Sequence, residues 1–188
     1  MKNQILSPAL SLFLLRELPF SRFDFPRWQS LLAISLIGVL IGFDPSLRAV
    51  PPDMPDVPVP PLWLAVGVGL VAVWVSFLLI LLVLRWWLKR AERWDGQGDL
   101  FNLLAASWLV ASVLGAGAVA AGVPPLLTLP LYLYAIWVGA NALSGAIPKA
   151  SLGYCIAGIL ISLIPATLVT GLIVGLAAAL TMATLGPA

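Results

Sequence analysis

Two long stretches without a charged side chain constrain this chain more than any other feature of its sequence. They run from Leu100 to Pro148 and from Ala150 to Ala188, with Lys149 alone between them. Over the whole chain 61% of the residues are hydrophobic and 10% are charged, whereas soluble domains carry about 25% charged residues. A soluble fold of this size cannot cover its surface with so few polar groups. The sequence therefore predicts an all-α integral membrane protein.

Five apolar segments are candidates for membrane-spanning helices. A hydrocarbon core about 30 Å thick needs about 20 helical residues. The turn signal at Gly122–Pro125 divides the longer uncharged stretch into two spans, and Pro165 is expected to kink the last span. The predicted bundle has spans at residues 28–43, 62–84, 101–121, 126–147 and 152–184. The last segment is interpreted as one bent helix, with two short passes as the alternative.

An N-terminal arm, residues 1–27, precedes the membrane domain at residues 28–188. Its apolar stretch Ile5–Leu15 is too short to cross a bilayer. We expect an interfacial helix that lies along the bilayer surface. Three arginines follow at headgroup positions: Arg16, Arg22 and Arg27.

The positions of lysine and arginine orient the five predicted spans. Nine of the ten fall in segments that alternating spans place on one side, and only Arg48 falls on the other. Cytoplasmic loops of membrane proteins are enriched in these residues. The N-terminus is therefore predicted to be cytoplasmic, with the C-terminus on the opposite side.

The residue inventory argues against most kinds of chemistry. The chain has no histidine and a single cysteine, which excludes histidine-based catalytic sites, internal disulfides and cysteine-rich zinc sites. A net charge of +2 is too small to indicate nucleic-acid binding. Asp53 and Asp56, in the proline-rich loop 44–61, are interpreted as solubilising charges on a semi-rigid spacer. We therefore expect no enzyme, no cofactor and no metal site.

The segment between the second and third spans is the densest polar feature. Arg85, Lys89 and Arg93 recur every four residues, so a helical extension of the span would place them on one face. The segment is interpreted as an orientation determinant with a belt at the headgroups. It is also a candidate surface for anionic lipid or an acidic partner, and the two roles are compatible. The candidate residues are Arg85, Trp86, Trp87, Lys89, Arg90 and Arg93.

Just after this segment, Gly96-Gln97-Gly98 matches only part of a phosphate-binding loop. A helix end at Gly96 followed by an N-cap at Asp99 explains these residues without a nucleotide.

A neutral polar stripe lies along one face of the fourth span, at spacings of three, four and three residues. Hydrogen bonds between helices are the favoured interpretation, with Tyr154 and Ser162 as partners on the fifth span. A polar path for a small solute is the alternative. The stripe consists of Tyr134, Trp137, Asn141 and Ser144.

Small residues four positions apart occur in two of the spans. Gly38 and Gly42 form one pair, and Gly171 and Gly175 form another that Ala179 continues. Such pairs let helix backbones approach closely. The contacts that they predict lie either within this bundle or with a partner subunit.

The order of these features resembles the Yip1 domain family of five-span membrane proteins, from about Trp28 to the C-terminus. The similarity rests on Asp95–Phe101, which leads into the third span, and on Trp137–Gly139, Ser144–Gly145 and Lys149–Ala150 before the last span. The long cytoplasmic arm and Asp-Leu-Tyr-Gly-Pro motif of the eukaryotic branch are absent. The resemblance thus implies a bacterial inner-membrane protein with no assigned catalysis, and the distribution of lysine and arginine then predicts a periplasmic C-terminus.

Together these features predict a non-enzymatic membrane protein that acts as an adaptor, organiser or accessory subunit of a membrane complex. Its expected partners are the lipid bilayer and other membrane subunits or a second copy, and not nucleic acid. The alternative function is a small transporter or channel that uses the polar stripe of the fourth span.

Overall fold

The computed structural model describes residues 4–44 and 59–185. Within these ranges 79% of the residues are helical, and no strand occurs. The prediction of an all-α fold is therefore confirmed. The proline-rich loop with Asp53 and Asp56 lies outside the described residues.

The described ranges contain six α-helices. They also contain two short 3-10 turns, Phe20–Phe23 and Pro125–Thr128. The helices are α1 (Leu6–Phe13), α2 (Arg27–Gly42), α3 (Leu62–Arg90), α4 (Leu100–Ala120), α5 (Leu129–Ala146) and α6 (Leu152–Leu185).

Three of these helices are long and apolar enough to cross a membrane, namely α3, α4 and the segment Leu152–Thr184 of α6. The shorter α2 has 16 residues and α5 has 18. The long apolar helices support a membrane protein.

The ends of the helices follow from local sequence. Pro26 and Pro61 precede α2 and α3, as expected of a residue that cannot donate a backbone hydrogen bond. The Asp99 carboxylate accepts from the Asn102 N–H and caps α4, as the sequence predicts. The expected end of α3 at Gly96 is wrong, because α3 ends at Arg90 and the chain turns at Glu92, whose φ is +54°.

Helix α3 lies between α2 and α6, and both neighbours run antiparallel to it. On α2, Gly38 faces Leu70 and Gly42 faces Val66. On α6, Trp87 meets Tyr154, and Ser76 is 2.6 Å from Thr170 between their hydroxyl oxygens. Helix α6 continues through Pro165, so the last segment is one helix rather than two short passes.

The remaining helices complete one bundle with two distinct ends. Helix α4 packs against α5, α2 and α1, and α1 also contacts α5. An aromatic cluster joins α3 to α4, with the buried Phe77 ring 5.0 Å from Phe101 and 5.4 Å from Trp108 between centroids. We call the end with Arg27, residues 91–99 and residues 147–151 the basic end, and the opposite end the far end.

Candidate functional site

The predicted basic and aromatic segment is divided by the structure into two sets with different surroundings. Helix α3 extends six residues past the expected span end at Leu84, so the segment begins as helix. One set lies on the outer side of this extension and is exposed to the surroundings. We call it the basic arc: Arg85, Trp86, Lys89 and Arg90.

The basic arc is partly ordered by contacts among its own side chains. Arg90 lies over the ring of Trp86, 5.1 Å from its centroid, a distance that suits a cation–π interaction. Lys89 lies 5.8 Å from the ring of Trp94. Arg85 and Lys89 are four positions apart, as are Trp86 and Arg90, and residues at this spacing share a helix face. The arc therefore presents three cations beside a half-exposed tryptophan.

The second set joins α3 to the start of α6. Trp87 stacks on Tyr154 at 5.0 Å between centroids, and the Tyr154 hydroxyl donates to the Trp87 carbonyl at 2.8 Å. Gly158 leaves the room that the Trp87 ring occupies. This tryptophan is therefore a packing residue rather than part of an exposed surface.

Arg93 departs from the expected helical row with Arg85 and Lys89. It lies beyond the end of α3, where its guanidinium stands 4.5 Å from the Tyr154 ring centroid and donates to the Lys149 carbonyl at 2.8 Å. The expected shared face is wrong for Arg93, because the turn at Glu92 takes the chain off the helix axis. Arg93 instead binds the loop after α3 to the turn between α5 and α6.

The loop that follows packs on the N-terminal arm. The Trp94 indole N–H donates to the Gln97 carbonyl at 2.7 Å, and Phe20 stacks on Trp94 at 6.4 Å. Gly98 has φ of +84° and lies directly against the Phe20 ring, so a side chain there would be strained and would clash. The glycines of this loop therefore serve backbone geometry and close packing.

The charges of the basic arc are free to act on a ligand or partner. Among the described residues, no carboxylate lies at ion-pair distance from Arg85, Lys89 or Arg90, whereas Arg27 pairs with Asp99 at 3.1 Å. Arginine forks match carboxylate and phosphate oxygens, and tryptophan suits the membrane interface. The arc can therefore bind anionic headgroups or an acidic protein surface.

The polar stripe of α5 faces the N-terminal arm, not α6. The Tyr134 hydroxyl donates to the Phe13 carbonyl, and the Asn141 amide donates to the Leu15 carbonyl at 3.0 Å. Ser144 donates to the Asn141 carbonyl at 3.2 Å within its own helix, and Trp137 is 47% exposed. The expected partners Tyr154 and Ser162 form other bonds instead, to Trp87 and Ile159.

A buried polar centre that sequence reasoning missed lies at the start of α4. Asn102, only 1% exposed, donates to the carbonyls of Phe23 at 2.9 Å and Phe25 at 2.7 Å, and accepts from the Ser30 hydroxyl at 2.7 Å. We call this group the Asn102 node. It joins α4 to α2 and to the N-terminal arm. The one available signal was an asparagine inside an apolar helix, which needs partners when buried.

The two predicted glycine pairs have different surroundings. A Cβ atom at Gly42 would stand 2.8 Å from the Ala65 carbonyl oxygen, and one at Gly38 would stand 2.9 Å from the Leu70 Cα. At Gly171 or Gly175 such a Cβ would meet no atom of another described element within 4 Å. The first pair is therefore a contact between α2 and α3, and the second is open along the far half of α6.

Comparisons with known proteins add no relative. No protein-family model, curated protein or solved structure matches this chain. Within the described ranges, no three His, Cys, Asp or Glu side chains are grouped so that they could hold a metal ion. The resemblance to the Yip1 domain family therefore stays a prediction from sequence motifs.

Proposed function

We propose that this chain is a non-enzymatic integral membrane protein that acts as an adaptor, organiser or accessory subunit of a membrane complex. The observation that carries the proposal is the basic arc, whose three cations have no acidic partner among the described residues. The base of the arc is fixed by the contacts of Trp87 and Arg93 with Tyr154. An ordered surface of this kind loses little side-chain entropy on binding.

The occupant that we favour for this arc is an acidic surface of another membrane subunit. Arg90 and Trp86 are already held together, and buried arginine and tryptophan are the side chains that most often dominate protein interfaces. The far half of α6 offers a second apolar face to the same complex, since Gly171 and Gly175 meet no other helix in the part of the chain that the structure describes.

The test is crosslinking in intact membranes followed by purification in mild detergent. We expect a stoichiometric partner or an oligomer, and we expect the double variant Arg85→Gln and Arg90→Gln to lose it. The control is Arg22→Gln, which removes an exposed cation of the N-terminal arm, outside the basic arc. A strictly monomeric protein, or a partner that the double variant retains, contradicts the proposal.

The proposed topology has five spans, with α2 to α6 each crossing the membrane once and the basic end cytoplasmic, in a bacterial inner membrane. The antiparallel order of α2, α3 and α6 supports this arrangement, as does the collection of cations at one end. Single cysteines at Gln97 and at Ala121 test it. An impermeant maleimide added to intact spheroplasts should label the Ala121 variant and not the Gln97 variant, and the reverse result overturns the orientation.

The alternative function, a transporter or channel along the polar stripe, has less support. Tyr134 and Asn141 already donate to backbone carbonyls of the N-terminal arm, which fits a packing role. Solute flux in liposomes decides between them, with Asn141→Leu as the comparison. Flux that this substitution abolishes would favour the transporter.

A further inference from the structure

We propose that residues 5–18 form a re-entrant hairpin, whose outer face contacts the acyl chains of the leaflet at the basic end. We call these residues the N-terminal hairpin. Its first limb is α1, its turn lies at Leu14 and Leu15, and its second limb is the non-helical chain that returns to the basic end.

Three contacts set the depth of the hairpin along the bundle. The Ile5 N–H donates at 2.9 Å to the side chain of Gln29, which lies in the first turn of α2 at the basic end. The Phe13 carbonyl accepts from Tyr134, twelve residues before the end of α5. At 1.5 Å per residue the backbone of Tyr134 lies about 18 Å along α5 from the basic end.

The returning limb runs back beside the same helix. The Leu15 carbonyl meets Asn141, and the backbone of Glu17 passes Gly145, where an added Cβ would lie 3.0 Å from the Glu17 Cα. The chain therefore enters at the basic end, descends and returns to that end. A helix lying flat on the bilayer surface would not meet α5 over this length.

The polar stripe supplies the hydrogen bonds that such a turn needs. The last carbonyls of a helix have no partner within it, and lipid offers none, so irregular backbone at membrane depth must be satisfied by protein. Leu15 takes φ of +54°, and two backbone bonds close the turn, from Leu15 N–H to Leu12 and from Arg16 N–H to Ser11. Tyr134 and Asn141 then satisfy the Phe13 and Leu15 carbonyls.

The two faces of α1 agree with this position. The buried residues Pro8, Ala9 and Leu12 face the bundle, and the outer face carries four large apolar side chains. A surface helix presents polar residues to water on its outer face, whereas an apolar outer face suits acyl chains. The four residues and their exposed fractions are Leu6 (65%), Leu10 (65%), Phe13 (40%) and Leu14 (54%).

A cleft of about 360 Å³ beside the turn fits the same occupant. It is open to the outside, and its lining is largely apolar: Leu15, Pro130, Leu133, Tyr134 and Trp137. An acyl chain suits this apolar lining, and the Tyr134 hydroxyl at the cleft is already bonded to the Phe13 carbonyl. The exposed Arg16 follows Leu15 on the returning limb, from which a long cationic side chain reaches the headgroups.

Spin labels on single cysteines test the depth in reconstituted vesicles. Cys155 is replaced by alanine, and cysteines are placed at Leu14 in the turn, at the exposed Gln4 before the hairpin, and at Leu82 on the outer face of α3. We expect the Leu14 label to match the Leu82 label, with ready access to oxygen. Its access to a polar nickel complex should be about tenfold below that of Gln4, since hydrocarbon excludes such solutes.

Each other outcome overturns part of the inference. Nickel access at Leu14 equal to that at Gln4 places α1 on the surface, and exclusion of both oxygen and nickel means that protein covers the turn. Tyr134→Phe together with Asn141→Leu should raise nickel access at Leu14, while the control Tyr132→Phe, on the exposed side of α5, should not. An unchanged depth in the double variant, with native helix content, shows that the stripe does not hold the turn.

Discussion

Helices α2 and α6 both flank α3 and both carry glycines four residues apart, yet only one pair makes a helix contact. On α2, Gly38 and Gly42 lie against the α3 backbone. The α3 residue in this contact is also a glycine, Gly69, where an added Cβ would stand 2.5 Å from the Gly38 carbonyl oxygen. On α6, Gly171 and Gly175 face open space. The same spacing therefore allows close approach without producing it.

Each helix is also bound to a neighbour by a polar contact on one of its faces. Ser30 of α2 donates to Asn102 of α4, while the glycines of α2 lie against α3. Thr170 of α6 bonds to Ser76, and because successive helical residues are about 100° apart, the next residue, Gly171, points away from α3. We infer that such directional bonds contribute to the orientation of each apolar helix.

The largest expected effect comes from breaking the Asn102 node, which holds α2 to α4. Asn102→Leu removes the partner of the Phe25 carbonyl and of the Ser30 hydroxyl. The Phe23 carbonyl loses one of two bonds, since it also accepts from the Phe25 N–H. At 1–3 kcal/mol for each stranded group, we expect a loss of about 3 kcal/mol or more. Unfolding in mixed micelles by titration with dodecyl sulfate measures it. Asn141→Leu, which breaks one such bond, should cost about a third as much, and an equal cost for the two would contradict the role of the node.

The second effect compares the two glycine pairs directly. Gly42→Ala places a methyl group 2.8 Å from the Ala65 carbonyl oxygen, so the backbones of α2 and α3 must separate, at a cost of about 2 kcal/mol. Gly175→Ala meets no atom within 4 Å, and alanine favours helix by up to about 1 kcal/mol. The same unfolding titration should move in opposite directions for the two variants. A destabilised Gly175→Ala protein would show that α6 is packed there by a neighbour.

The third effect tests the attachment of α6 at the basic end. Tyr154→Phe removes the hydroxyl that donates to the Trp87 carbonyl at 2.8 Å but keeps the stacked ring. We expect a loss of about 1 kcal/mol, the usual contribution of one hydrogen bond. The control Tyr132→Phe changes an exposed side chain on α5 and should leave the free energy of unfolding unchanged. Equal effects would mean that this bond does not hold α6.

The smallest effect concerns the bond between Ser76 of α3 and Thr170 of α6. Ser76→Ala removes its contact with Thr170, and hydrogen bonds between membrane helices contribute about 0.6 kcal/mol on average. Ser107→Ala, whose hydroxyl bonds only within α4 to Leu103, is the matched control. Equal losses for the two variants would show that the contact between Ser76 and Thr170 does not hold α6 on α3.

The apolar pattern predicted the helices well and their ends less well. The start of α3 at Leu62 and the N-cap at Asp99 follow from proline and aspartate chemistry that acts within a few residues. The span was predicted to end at Leu84, but the helix continues to Arg90, because the run Arg85–Arg90 is charged and still favours helix. It stops before the helix end expected at Gly96. Hydropathy reports where a chain leaves the lipid, and a helix can continue past that point.

Pairing between distant side chains was beyond the reach of pattern analysis. Asn102 binds residues more than 70 positions away, and Tyr134 and Asn141 bind carbonyls more than 120 positions away. Periodicity placed the polar stripe on one face of its helix but offered α6 as its partner. Nothing in the periodicity of α5 distinguishes a neighbouring helix from the end of α1, because both present oxygen acceptors.

The local arrangement of residues in the chain thus accounts for the all-helical membrane class and the collection of cations at one end. These properties depend on hydropathy and charge, which act residue by residue. The bundle alone shows that Gly38 and Gly42 are packed while Gly171 and Gly175 are open, and that the polar stripe serves the N-terminal hairpin. Close approach and hydrogen bonding both require that the matching faces of two helices point at each other. The relative orientation of the helices is set only when they pack.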